Sequence, residues 1–205
     1  MKQYSELEFA KYLAKEAGKI MISYFGKASI SEKGVNCDIV TEADMAVDER
    51  LRALIKDSNY DYPILSEEND AKVRLGSEHL WIIDPIDGTV NYSKKSSRFS
   101  CSIALAHGGS VCTGVVYAPI LSELFHAERG NGAYLNDECI HVSDTCELRD
   151  AVICIDGGYR STKDRERRIN LYSVLSPPVI MGIRQTASAA LDLCDVANGR
   201  FDAYV

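Results

Sequence analysis

The run Trp81-Ile82-Ile83-Asp84-Pro85-Ile86-Asp87-Gly88-Thr89 constrains this chain more than any other stretch of it. An apolar strand ends on a carboxylate, a second carboxylate follows three residues later across a proline, and a Gly-Thr pair opens a helix. Asp84 and Asp87 offer hard oxygen ligands of the kind Mg²⁺ takes. Pro85 restricts the backbone so that the Ile86 carbonyl can turn inward, and Gly88 lets a phosphate approach main-chain N–H groups. Ordinary turn chemistry accounts for the same residue types, because Asp-Gly is a common turn dipeptide. The neighbouring segments therefore decide the reading.

Upstream, Tyr62-Pro63-Ile64-Leu65-Ser66-Glu67-Glu68-Asn69 is a second short apolar strand ending in carboxylates. Ligands in α/β sheets collect beyond the carboxyl ends of strands, so Glu67, Asp84 and Asp87 are expected to form one acidic cluster. Further upstream, Lys33 precedes Asp38-Ile39-Val40-Thr41-Glu42-Ala43-Asp44, an extended piece running into a helix with Thr41 as N-cap and Asp44 three positions on. A capping pair explains Thr41 and Asp44 without any further role.

Taken together these segments resemble the inositol monophosphatase family. The resemblance rests on Lys33, the segment 38–44, Ser66-Glu67-Glu68-Asn69, the run 81–89, Gly114-Val115-Val116-Tyr117, Gly130-Asn131-Gly132-Ala133-Tyr134, and Gly182-Ile183-Arg184 leading into the segment 188–194. It implies a layered αβαβα sandwich shared with fructose-1,6-bisphosphatase, Mg²⁺ as cofactor, sensitivity to lithium, and a homodimer. It also implies roles for single residues. Glu67, Asp84 and the Ile86 carbonyl hold a first Mg²⁺, Asp84 and Asp87 a second, and Glu67 helps with a weaker third. Glu67 and Thr89 orient the attacking water, making Glu67, Asp84, Asp87 and Thr89 the catalytic set. Asp87, Gly88 and Thr89 contact the phosphate region, Ala187, Ser188 and Ala189 the sugar or inositol ring, and Lys33 and Asp44 are supporting charges.

The chain departs from the family pattern in three places. Ala187 stands where a glycine is usual, and Lys95-Ser96-Ser97 replaces a basic-Phe-Pro segment. A second family signature, Trp-Asp-x-Ala-Ala-Gly, would follow the stretch 199–205 and is not in the chain, whose one tryptophan is Trp81. On that reading the C-terminal part is missing and the second metal lacks one carboxylate.

Composition narrows the remaining choices. At 205 residues, a sizeable core is available. A net charge of −7 without a basic stripe argues against nucleic acid as a partner, and clustered carboxylates would repel a phosphorylated small molecule unless cations intervened. With no signal-like N-terminus and no run of about 18 apolar residues, a cytoplasmic protein without membrane attachment is expected. The 7 cysteines form no zinc-type pair and are expected as reduced thiols. The 4 histidines, at 79, 107, 126 and 141, are expected as turn or surface residues rather than ligands. No nucleophile elbow, zinc-protease helix motif or phosphate-binding P-loop is present.

Helical spacing predicts an amphipathic helix from a Ser5/Glu8 capping box to Gly26 and a second helix after Thr41. From residue 101 the pattern becomes an antiparallel meander over 101–106, 111–117 and 123–127, with extended pieces at 133–135 and 140–142. Strands at 151–155 and 179–184 and helices at 162–175 and 188–197 complete an α+β chain. Two regions are expected, 1–150 carrying the metal and phosphate site and 151–205 an incomplete substrate region. The function expected is Mg²⁺-dependent hydrolysis of a phosphate monoester, foremost myo-inositol 1-phosphate. A bisphosphatase acting on fructose 1,6-bisphosphate or a 3′-phosphorylated nucleotide, or a catalytically impaired phosphate-binding or interaction module, are the alternatives.

Overall fold

The computed structural model describes residues 5–32, 39–68, 78–156 and 162–205. Lys33, Asp38 and Asn69 lie outside the described residues. Helix α1 (Glu6–Tyr24) starts where the Ser5 hydroxyl accepts the Glu8 N–H at 3.2 Å, and buries Phe9, Leu13, Ala14, Ala17 and Met21 on one face. Gly18 on that face is needed for close approach, since a Cβ there would stand 2.4 Å from the Tyr117 ring. A two-stranded ribbon of β1 (Ile30–Glu32) and β2 (Ile39–Thr41) leads into α2 (Glu42–Lys56). The Thr41 N–H and hydroxyl both donate to Asp44 Oδ2, at 2.8 and 2.5 Å, which is the capping pair read from the sequence.

Seven strands form the main sheet: β3 (Ile64–Ser66), β4 (His79–Asp87), β5 (Ser100–His107), β6 (Ser110–Ala118), β7 (Glu123–Glu128), β8 (Ala133–Leu135) and β9 (Glu138–Cys139), in that spatial order. Only β3 and β4 run parallel; the rest is the expected meander. Between β4 and β5 sits a short helix, α3 (Thr89–Ser93). Helices α1 and α2 cover one face, joining Leu13, Met21, Val47 and Leu51 to Trp81, Ile83, Ile103 and Leu105 in one core.

The remaining elements are β10 (Val152–Cys154), α4 (Thr162–Leu175), β11 (Gly182–Arg184), α5 (Ala189–Ala197) and β12 (Ala203–Tyr204). The three strands pair parallel in the order β11-β10-β12. Leu171, Tyr172 and Leu175 of α4 pack on Ile153, Ile155 and Ile180. On the other side α5 is shared by the two sheets, with Leu191 and Cys194 against Ala118 and Phe125 and Asp192 Oδ2 accepting from Cys154 Sγ at 3.1 Å. The layers therefore run helix, sheet, helix, sheet, helix.

One sequence expectation shifts. The extended piece expected at 140–142 pairs instead at 138–139, because Asn136 takes a positive φ of 54° in a tight turn. That frees Ile140 to pack beneath α5. Among the described residues no helix is long and apolar enough to cross a membrane.

Candidate active site

Two features of the strand ladder bring the acids together. In the parallel pair Ser66 stands opposite Ile83, so the next residues, Glu67 and Asp84, leave the sheet side by side; the Glu67 N–H still donates to the Ile83 carbonyl at 3.2 Å. Between Asp84 and Asp87 the ladder with β5 slips: Asp84 faces Ser102 and Asp87 faces Ser100. Three steps on β4 thus match two on β5, a bulge at the proline that cannot donate to the ladder. Residues three apart on a regular strand point to opposite faces. Here Ser100 and Ser102 share a face, so the bulge puts Asp84 and Asp87 on the same side.

The site is electrostatically unfavourable without a cation. Burial first, then the charges of Glu67 and Asp87 and a hydrogen bond to Glu67, push the Asp84 carboxyl up to about 9. Asp84 Oδ1 is buried with no hydrogen-bond partner among the described residues. Burial, opposed by the Thr41 donors and assisted by Glu68, raises Asp44 to about 6. Asp44 also adds to the field at Asp84.

Asp87 faces a different neighbour. Its Oδ1 accepts the Ala189 N–H at 3.0 Å, while Oδ2 accepts from Ala190 N–H at 3.2 Å, Ser100 Oγ at 3.4 Å and the Ser188 hydroxyl. It therefore caps α5 from a distant point of the chain. Burial still raises its affinity for a proton above that of an ordinary aspartate. One oxygen from each of Glu67, Asp84 and Asp87 does not come within 4.8 Å of the other two. A carboxylate offers about four acceptor sites, and Oδ1, with one donor, keeps one open.

Gly88 takes φ +86°, and a Cβ there would lie 3.0 Å from the Arg98 carbonyl and 3.2 Å from that of Ala187. The Thr89 hydroxyl donates to the Ile86 carbonyl at 3.0 Å. Asn91 Nδ2 donates at 2.7 Å to both the Arg98 and Thr186 carbonyls, fastening the segment before α5 to α3. Ala187 is exposed and left-handed, at φ +58°, the conformation that a glycine would adopt without strain. Ser188 is buried and its hydroxyl is committed to Asp87, so its side chain does not face an incoming molecule.

The structure thus gathers Asp44, Glu67, Asp84, Ile86, Asp87, Gly88, Thr89, Ala187, Ser188 and Ala189 around one end of the sheet. Lys33 lies outside the described residues. Sequence reasoning missed the support beneath this site: Arg98 donates at 2.9 Å to each of Asp192 and Asp195, both buried, and Asp192 also accepts from Thr186. Asp48 accepts from Ser66 Oγ at 2.6 Å, anchoring the residue before Glu67. The segment holding Asp192 and Asp195 was read as a helix, but no spacing links it to Arg98.

The family model described as "Inositol monophosphatase family" matches residues 3–205. The chain belongs to the inositol monophosphatase family. An inositol monophosphatase from Dictyostelium discoideum is 35% identical over 206 residues, covering 97% of this chain and 74% of that protein. A protein named fructose-1,6-bisphosphatase/inositol-1-monophosphatase from Aquifex aeolicus is 35% identical, with 100% and 77% covered. Among solved structures, the extragenic suppressor protein SuhB from Bartonella henselae superimposes with a TM-score of 0.86 at 34% identity, over 95% of this chain and 75% of that one. As a member of the inositol monophosphatase family, the chain is a phosphoric monoester hydrolase of a metal-dependent class, with an α+β sandwich fold.

Proposed function

We propose that the chain hydrolyses myo-inositol 1-phosphate or a closely related polyol phosphate with Mg²⁺ and is inhibited by Li⁺. The observation that carries the reading is the Glu67–Asp84 pair beside Asp87, with an unpartnered, buried Asp84 Oδ1. The residues fit a hard cation, since all the donors are oxygens and, among the described residues, the buried Asp84 Oδ1 has no partner. Glu67, Asp84 and the Ile86 carbonyl would hold one Mg²⁺, and Asp84 with Asp87 Oδ1 a second. Bound there, the metal supplies charge neutralisation at the phosphoryl oxygens and lowers the pKa of water.

The chain's own residues supply the rest. Glu67 is the exposed acid of the cluster and accepts a proton from water as it attacks phosphorus. The Thr89 hydroxyl, turned by its bond to the Ile86 carbonyl, orients that water. The Gly88 and Thr89 N–H groups donate to phosphate oxygens, and the glycine at 88 lets this turn sit against the Arg98 and Ala187 carbonyls. Ala187 and Ala189 form a small-residue edge on which a polyol ring can sit, and Asp44 holds the loop at Thr41 near Asp84. In the protein as it exists, we further propose a cytoplasmic homodimer without lasting nucleic-acid or membrane partners, with residues 1–150 carrying the metal and phosphate site and 151–205 the substrate region.

The test compares phosphate release from myo-inositol 1-phosphate, fructose 1,6-bisphosphate and a 3′-phosphorylated nucleotide at matched Mg²⁺, with and without Li⁺. Preference for the inositol ester and loss of turnover in Li⁺ support the reading. A preference for either bisphosphate replaces the substrate while keeping the site. The name of the Aquifex relative is the reason for including the sugar bisphosphate.

A further inference from the structure

At the other end of β4, five residues and about 17 Å before Asp84 at about 3.4 Å per residue, three side chains converge that the hydrolytic site does not use. His79 opens β4 and His107 closes β5, and the two stand directly opposite each other in the antiparallel ladder. Their rings lie edge to face with centroids 4.3 Å apart. The first turn of α1 brings Glu6 over the pair, with Glu6 Oε1 3.3 Å from His107 Nε2. One ligand atom from each of the three residues lies within 4.8 Å of the others, and among the described residues no other group of histidine, cysteine or acid side chains meets that spacing. Two of the four histidines, read from the sequence as separate turn or surface residues, thus stand together.

We propose that Glu6, His79 and His107 form a binding site for Zn²⁺, separate from the hydrolytic centre. Two imidazoles and one carboxylate are a common three-residue zinc set, with a fourth position left to water. Neighbouring ligand atoms around tetrahedral zinc, at bond lengths of about 2.0–2.1 Å, are about 3.3–3.4 Å apart. The His107–Glu6 contact already has that separation, and the His79 ligand atom lies within 4.8 Å of both. His107 Nε2 is buried and, although Glu6 Oε1 lies 3.3 Å away, makes no aligned hydrogen bond among the described residues. Tyr62 stacks on His79 with centroids 4.4 Å apart, fixing the ring plane. Nitrogen ligands select this site for zinc-like ions, while the all-oxygen cluster at Asp84 suits Mg²⁺. The ion would tie the start of α1 to the end of the sheet where β4 and β5 meet, acting as a structural clamp.

The experiment is a calorimetric Zn²⁺ titration of the untagged chain in saturating Mg²⁺, in a Cys139→Ser background that removes the competing Cys139–His141 pair at the end of β9. We expect one Zn²⁺ per chain, an affinity loss of at least 100-fold in His79→Ala and in His107→Ala, and a smaller loss in Glu6→Gln. At 100-fold excess over Kd, Zn²⁺ should raise the melting temperature by about 5–10 °C in the parent and not in the histidine variants. Should a histidine variant fold poorly, ring resonances of the parent decide: those of His79 and His107 should shift on adding Zn²⁺, while His126 and His141 stay. Zn²⁺ binding of unchanged affinity in both histidine variants, or shifts confined to His126 or His141, would overturn the proposal.

Discussion

Glu67, just past the end of β3, stands beside Asp84 of the parallel strand β4, close enough to share a hydrogen bond although both are acids. Two carboxylates can do so only if one holds a proton or a cation neutralises them. Asp84, the more buried, is the one held protonated in the metal-free chain.

The two acids should therefore fail differently. Asp84→Asn removes the bridging charge and is expected to abolish Mg²⁺-dependent turnover while stabilising the metal-free fold. Glu67→Gln is expected to keep measurable Mg²⁺ binding yet lower turnover by about 10²–10⁴-fold, the range for loss of a general base. Calorimetric Mg²⁺ titration beside steady-state assays of both variants distinguishes them. Parent-like turnover in Asp84→Asn would remove it from the site.

Raised carboxyl pKa values fix the direction of a pH dependence. Asp84, near 9, and Asp44, near 6, keep protons in the folded metal-free chain that the unfolded chain sheds near pH 4. Stability should thus be highest at the acid end of this window and fall as pH rises from about 4, with both groups contributing up to about pH 6 and Asp84 alone from there towards 9, by at most about 1.4 kcal/mol per pH unit for each contributing group. Urea unfolding in EDTA at pH 5, 7 and 8.5 measures this, and saturating Mg²⁺ should flatten the decline. Rising stability across that range in EDTA would show that Asp84 is ionised without metal.

Arg98 neutralises two buried acids at once. Arg98→Met leaves Asp192 and Asp195 without their shared cation and should cost about 3–5 kcal/mol, as removing one partner of a buried pair does. The urea midpoint should fall at an unchanged m-value. A loss below 1 kcal/mol would mean that water replaces the guanidinium.

At Ala187 the backbone is already in the glycine region. Ala187→Gly relieves a left-handed alanine costing about 1–2 kcal/mol against about 0.4–1 kcal/mol from the greater entropy that glycine gives the unfolded chain. The expected outcome is a melting temperature raised by about 1–3 °C. A lowered one would show that the methyl group packs usefully.

The parts of this protein that were legible in its sequence are those with local periodicity or fixed spacing. Ser5 and Glu8 marked the start of α1, Thr41 and Asp44 the start of α2, and the run 81–89 showed a strand, a backbone-restricting proline and a glycine turn in one string. The nearness of Glu67 to Asp84 followed from acids at both strand ends. What was not legible depends on register between distant segments. Asp87 capping α5 lies 102 residues from Ala189, and Arg98 meets Asp192 and Asp195 across comparable separations. His79 and His107 escaped notice for the same reason: a helix and loop separate their strands, so no hairpin turn fixes their pairing in advance. Ile140 was misplaced because its apolar character fits a strand and a helix-facing loop equally well.

The most direct measurement is phosphate release from myo-inositol 1-phosphate by the chain in Mg²⁺, in excess EDTA, and after Mg²⁺ is restored. A metal-dependent hydrolytic centre at Glu67, Asp84 and Asp87 predicts turnover in Mg²⁺, none in EDTA and recovery on restoration, with no recovery in Asp84→Asn. Release that continues undiminished in EDTA would contradict it.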